Sequence, residues 1–234
     1  MEFYDLYVPA EKPEEVVETA KEFGFSGIAV THEYTHKEGL NSYLGKIDSL
    51  GSGADIDIIR SCVLDPDSTK EMKKQLGGVR QRVEIVCVNG GNFEVNKAAV
   101  QDSRVDILLH PEYKRKDPGM DHKTARMASE NSVAIGFVFH DLHQTYGKVR
   151  AHVLNHMKKS LELCEKYGVD FIVTSGARNR YELRGGRDLA SLVKVLDVDA
   201  SEAISSVTKT PSSIVSENRK KLGGSIKKDG VEEI

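Results

Sequence analysis

The chain has 234 residues, 39% of them hydrophobic, and a formal net charge of −3. That is enough apolar content for one sizeable core, and no apolar run approaches the ~20 residues of a membrane span. The total hides an asymmetry: residues 1–103 carry 11 Lys+Arg against 18 Asp+Glu, whereas residues 104–234 carry 22 against 18.

Short apolar runs alternate with helical patterns. Residues 3–8 form a strand candidate, and 13–23 show helical spacing at Val16, Val17, Ala20 and Phe23, with Gly24 as a stop. A second strand is expected at 27–31, and the polar, Gly- and Ser-rich stretch 39–53 reads as a loop or small excursion. A third strand follows at 56–64. Asp65-Pro66-Asp67 then opens a helix that closes at Gly77-Gly78. Further strands are expected at 83–88, 105–109, 133–139 and 171–174, and helices near 93–100 and from Asp121. A long helix over 149–167 carries an apolar stripe at Val153, Leu154, Met157, Leu161 and Cys164, and Gly168 ends it. Helices near 188–196, 201–207 and 212–222 complete the pattern.

Seven strand-plus-helix units predict an α/β fold, a TIM-like (β/α) barrel rather than an open sheet. No eighth strand stands out, so the barrel is expected to be irregular or incomplete. Residues 1–222 read as one barrel domain and 223–234 as a flexible C-terminal tail. Cys62, Cys87 and Cys164 are odd in number and far apart, which suits reduced core thiols. Glu2 and Asp5 follow Met1 directly, unlike a signal peptide, so a cytoplasmic location is expected.

Active groups of such barrels sit on loops at the C-terminal ends of the strands. Those loops hold His32, Glu33, His36, His110, His140, Asp141 and His143, which a metal hydrolase could use. The plainer reading is of surface and loop-end histidines, each satisfied by a backbone partner. His152 and His156, four apart on the long helix, are either a ligand pair or part of its solvated face. Ser175 precedes Gly176 without a nucleophile elbow around it. Cys87–Gly91 ends a strand in glycines but lacks a phosphate-loop pattern.

The cations carry a sharper signal. Residues 110–122 read HPEYKRKDPGMDH. Lys114, Arg115 and Lys116 follow a strand, Asp117-Pro118-Gly119 makes a turn, and Asp121 suits a helix N-cap. Residues 178–194 add Arg178, Arg180, Arg184 and Arg187, with Tyr181 among them and Gly185-Gly186 opening the backbone. Arginine with interleaved aromatic and glycine suits phosphate forks and base stacking. The alternative is a solvated loop with internal pairs, such as Asp188 with Arg184.

HPEYKRKDPGMDH at 110–122, VAIGFVF at 133–139, VDFIVTSGARNRYELRGGRDLASL at 169–192 and PSSIVSENRKKL at 211–222 resemble the archaeal and eukaryotic ribonuclease P protein component 3 family. The resemblance is strongest over 105–222. It implies a barrel related to the polymerase-and-histidinol-phosphatase (PHP) metallohydrolases. It also implies a protein cofactor of an RNA enzyme that cleaves precursor tRNA at the mature 5′ end. Those hydrolases open with a strand bearing Asp-Leu-His-x-His. Here the matching place reads Asp5-Leu6-Tyr7-Val8-Pro9, so Tyr7 and Pro9 stand where both histidines would be. Neither can supply a neutral ring nitrogen.

The reading that follows is a binding subunit with no catalytic residue and no metal or cofactor of its own. Mg²⁺ would serve the RNA-catalysed reaction. Lys114, Arg115, Lys116, Arg178, Arg180, Arg184 and Arg187 are the expected RNA contacts, with Asp117, Asp121, His122 and Asp188 shaping the loops. The implied partners are ribonuclease P RNA, precursor tRNA and other ribonuclease P proteins, including a smaller α/β subunit, with no membrane. The runner-up is an autonomous PHP-type phosphoesterase using His32, His36, His110 and His140.

Overall fold

The computed structural model describes residues 1–52 and 54–223, together with the backbone alone of 226–228 and 231–232. Seven strands, β1 (Phe3–Val8), β2 (Phe25–Glu33), β3 (Asp57–Leu64), β4 (Ile85–Asn89), β5 (Ile107–Leu109), β6 (Ala134–Val138) and β7 (Phe171–Thr174), pair in sequence order. Every neighbouring pair is parallel. The connections hold α1 (Pro13–Glu22), α2 (Lys37–Gly51), α3 (Thr69–Val79), α4 (Phe93–Val100), α5 (His122–Glu130), α6 (Phe139–His143) and α7 (Gly147–Tyr167). After β7 come α8 (Gly186–Val195), α9 (Ala200–Ser205) and α10 (Lys209–Leu222). The flexible tail expected from 223 lies outside the described residues, apart from Gly223 and an antiparallel backbone pairing of Ile226–Lys228 with Val231–Glu232.

The strands read as continuous apolar runs because helices cover one face and the lumen covers the other. Alternate residues sort accordingly. Ile85, Cys87, Ile107 and Leu109 pack with Leu6, Tyr7, Ile59 and Ile172 inside the barrel. Val86, Val88 and Leu108 join the larger core under the helices. Val215 of α10 belongs to the inner cluster. The same helix touches β1, β4 and β7, so it crosses the N-terminal end of the barrel as a plug. Arg219 fixes it there, donating two bonds of 2.8 Å to the Asp57 carboxylate and one to Glu84.

No eighth strand closes the sheet among the described residues. The segment after α9 stands in for one: the Ser206 carbonyl accepts from Val173 N at 3.2 Å and the Val207 carbonyl from Tyr4 N at 2.9 Å. On the other side of the seam, Gly176 N donates to Tyr7 O at 3.1 Å. Asp5, fully buried, accepts from Ser175 N at 3.2 Å and from the Thr174 hydroxyl. Burial raises the Asp5 pKa, and these donors only partly offset it. The barrel is therefore nearly closed, with side chains and a short turn replacing ladder bonds.

The stretch 39–53 does not form the expected loop. It is mostly α2, because Leu40, Tyr43, Leu44 and Ile47 recur at helical spacing and pack on the core, and the intervening glycines and serines face outward or are tolerated. His36 starts the helix, its Nδ1 accepting from Gly39 N at 3.1 Å. The third helix begins later than expected, capped by Ser68, and runs through Gly77 and Gly78 to Val79. His140 and His143 lie on the short helix α6, not on a loop. Along α7, Met157, Leu161 and Cys164 are buried, whereas Val153 and Leu154 are only partly so. Gly168 ends α7 in the left-handed region at φ 63°, where glycine meets no steric penalty. Cys62, Cys87 and Cys164 are buried and free.

Candidate nucleic-acid interface

Loop 110–121 is held from beneath by Asn96 of α4, a fully buried side chain. Its Nδ2 donates to Pro111 O and Gly119 O, each at 2.8 Å, and its Oδ1 accepts from Gly91 N at 3.1 Å. Three backbone groups of two adjacent loops are satisfied by one amide. The turn closes at Gly119, φ +69°, where a Cβ would stand 1.7 Å from Pro111 O. Asp121 caps α5 through a capping box with Thr124, as its position implied.

The cation triplet divides. Arg115 is mostly internal: it forks onto Asp117 at 2.7 and 2.8 Å, reaches Gly91 O at 3.3 Å and lies over the Phe93 ring. Its guanidinium holds the Asp117 carboxyl below the usual carboxylate range. Lys114 and Lys116 are exposed, the former with its ammonium 4.8 Å from the Tyr113 ring centre. His156 of α7 is buried and faces the same concavity as Lys116.

The arginines after β7 divide as well. Arg184 donates to Tyr181 O at 2.9 Å and Leu183 O at 2.7 Å and lies over the Phe139 ring, so it braces its own loop. Arg180 pairs with the neighbouring Tyr181 ring and hydroxyl. Arg180 and Arg184 also line a groove shared with Glu14, Glu15, Glu18 and Glu22 of α1, which turns this edge of the loop toward negative charge. Arg178 reaches the barrel mouth, 3.6 Å from Glu33. Arg187 is exposed in the first turn of α8, and its side chain makes no hydrogen bond or ion pair among the described residues.

Between the two loops, the C-terminal mouth encloses about 570 Å³ lined by Tyr7, Glu33, Asp65, Asn89, His110, His140, Asp141 and Arg178. His110, held at a left-handed φ of 49°, bonds Asp141 Oδ2 at 2.5 Å through Nδ1. Burial opposes its protonation, but the Asp141 carboxylate outweighs that and raises the His110 pKa. His140 Nδ1 lies 3.1 Å from Glu182 Oε2, off the angle of a hydrogen bond. His32 stacks on Tyr43, and His143 is exposed. The histidines singled out as ligands are thus parted among caps, stacks and carboxylate pairs. Among the described residues no group of three or more His, Cys, Asp or Glu side chains is arranged to hold a metal ion.

Sequence reading missed Asn96, and it named Asp5 only within the first-strand motif, not as the carboxylate that ties the seam. Asn96 had a signal, since it interrupts an apolar helical run at a core-facing position.

A histidinol phosphate phosphatase from Lactococcus lactis, solved with zinc, L-histidinol and phosphate, superposes with a TM-score of 0.58, covering 86% of this chain and 94% of that one at 10% identity. Fold and mouth together define a (β/α) barrel with a mixed polar and apolar C-terminal mouth. The model of the family described as RNase P subunit p30 matches residues 2–222. The chain belongs to that family, front half included. Ribonuclease P protein component 3 of Methanococcoides burtonii is 36% identical over 222 residues, 93% of this chain and 88% of the relative. Its counterpart from Methanothermobacter thermautotrophicus is 30% identical over 221 residues, 93% and 90% respectively. A chain in the cryo-EM structure of archaeal ribonuclease P with mature tRNA superposes with a TM-score of 0.84 and 27% identity, covering 99% of this chain and 97% of that one.

Proposed function

We propose that this chain is a binding subunit of ribonuclease P, the ribonucleoprotein that generates the mature 5′ end of tRNA from its precursor. The observation that carries this reading is the family match across residues 2–222, joined to a solved archaeal ribonuclease P that aligns over nearly the whole chain. The RNA subunit, with Mg²⁺, performs phosphodiester hydrolysis, and this chain stabilises the active RNA geometry. Its partners are the ribonuclease P RNA, the tRNA substrate and other protein subunits, a smaller α/β subunit among them.

Exposure sorts the seven expected contacts. Lys116 and Arg187 present exposed cations, and Lys114 is exposed beside the Tyr113 ring, so these three are the most available to phosphate. Arg178 and Arg180 are reachable but partly engaged, by Glu33 and Tyr181. Arg115 and Arg184 act mainly by fixing the two loops. Among the described residues no helix is long and apolar enough to cross a membrane, and a cytoplasmic location belongs to this same reading.

Reconstitution tests it. The RNA with Mg²⁺ and the other protein subunits should process precursor tRNA markedly better with this chain than without it, and the chain alone should cut nothing. Correct 5′ cleavage by the RNA-free protein would favour the autonomous phosphoesterase and overturn the binding-subunit reading.

A further inference from the structure

A second concavity, about 730 Å³, lies between loop 110–121 and the first half of α7. Its walls are unlike the acidic groove beside α1 or the mixed mouth. Val149 and Tyr113 are 58% and 53% exposed, and Val153 continues the apolar wall. Lys114, Lys116 and His152 rim it. Glu112 also lines it, only 7% exposed, and its carboxyl makes no hydrogen bond to another described residue. Exposed apolar and aromatic surface, a cationic rim and one buried acceptor without an outside partner need an occupant with matching parts.

We propose that this groove holds one unpaired nucleotide of the RNA, with its phosphate at Lys114 and Lys116 and its base against Tyr113 and Val149, an edge N–H reaching Glu112. The inference rests on the RNA-binding reading of Lys114 and Lys116 and adds the kind of RNA and the depth of contact. A duplex would meet the rim with phosphates but leave the apolar wall and Glu112 uncovered, because its bases are stacked and paired. A flipped-out base supplies a flat π-face, an edge with N–H donors and an attached phosphate in one unit. Burial lifts Glu112 to about 7, so near neutral pH its carboxyl can accept from a base edge or donate to one.

The test uses the reconstituted holoenzyme and its own ribonuclease P RNA. Val149→Trp fills the groove and keeps every cation; Tyr113→Ala attacks the opposite wall; Lys114→Ala/Lys116→Ala removes the rim. RNA affinity is measured across a salt series, and base-specific chemical probing maps the RNA. Val149→Trp and Tyr113→Ala should each weaken affinity about tenfold, within the range of one base–aromatic stack. Both should expose the same single unpaired nucleotide to the probe and leave the salt slope unchanged. The double alanine should flatten that slope. If the double alanine flattens it while both groove variants keep wild-type affinity and footprint, the groove is empty and only the phosphate reading survives. If no variant has an effect, that reading fails too. Loss of a protein subunit from the Val149→Trp assembly, with the RNA footprint intact, would make this a protein-docking site and overturn the inference.

Discussion

Asn96→Ala should separate the scaffold of the basic loop from its charge. The side chain is fully buried and satisfies Pro111 O, Gly119 O and Gly91 N at 2.8, 2.8 and 3.1 Å. Each such bond contributes about 1 kcal/mol net, and each partner left dry and unpaired costs more than the bond itself was worth. The expected loss is therefore about 3 kcal/mol, or a fall of about 6–12 °C in Tm for a chain of this size. Lys114 and Lys116 ride on the loop that Asn96 pins. Holoenzyme assembly should weaken, and its salt slope should flatten although no charge has been removed. Asn96→Asp keeps the volume and the acceptor for Gly91 N but sets a carboxylate against two carbonyls, so it should be at least as harmful. Thermal unfolding of the chain and RNA titration over a salt series give both readouts. A Tm within about 2 °C of wild type, below the shift expected for even one lost bond, together with an unchanged slope, would refute the reasoning.

Replacing Lys114 and Lys116 with alanine should lower the salt slope of RNA binding by up to about 1.4–1.8 with Tm unchanged, since about 0.7–0.9 is lost per phosphate contact. Arg115→Ala should lower Tm instead, through its Asp117 fork; equal effects of the two changes on stability would contradict that division. Arg184→Lys should destabilise by about 1–2 kcal/mol, because lysine cannot reproduce a planar donor bound to two carbonyls over Phe139, whereas Arg187→Lys should leave Tm alone. Denaturant unfolding of the two variants decides, and a silent Arg184→Lys would return that residue to the exposed class. Glu112 carries a pH signature: burial lifts its pKa from 4.5 to about 7, so the fold favours its protonated form. The stability tied to that proton is complete below pH 4.5 and lost as pH rises through about 7, on the order of 3 kcal/mol. Glu112→Gln should therefore gain stability over wild type at pH 8 and lose that advantage at pH 4.5; a gap that does not change with pH would show that Glu112 ionises normally.

The barrel was legible because its signal is repetitive. Apolar runs doubly buried between lumen and helices, separated by helical spacing and glycine stops, mark seven βα units without any tertiary information. The turn at Asp117–Gly119 and the cap at Asp121 were equally local, being matters of one residue's backbone and one side chain. Helix α2 was hidden because its apolar positions are sparse among glycines and serines, and only packing of Leu40 and Ile47 on the core decides between helix and loop.

Charge could be counted in the sequence, but its availability could not. Whether a guanidinium faces solvent or forks onto a neighbour depends on residues brought together from elsewhere, as Arg115 with Phe93 and Gly91 or Arg184 with Phe139 demonstrate. The seam is also a tertiary fact. Asp5 and Ser175 are 170 positions apart, and nothing local tells a buried carboxylate that its donors will be the first groups after β7. The sequence by itself determined the architecture and the stock of cations, since both follow from short-range periodicity and composition. Only the tertiary structure decided which cations stay free, which clamp the loops and where the barrel closes, because each depends on pairings across long separations in the chain.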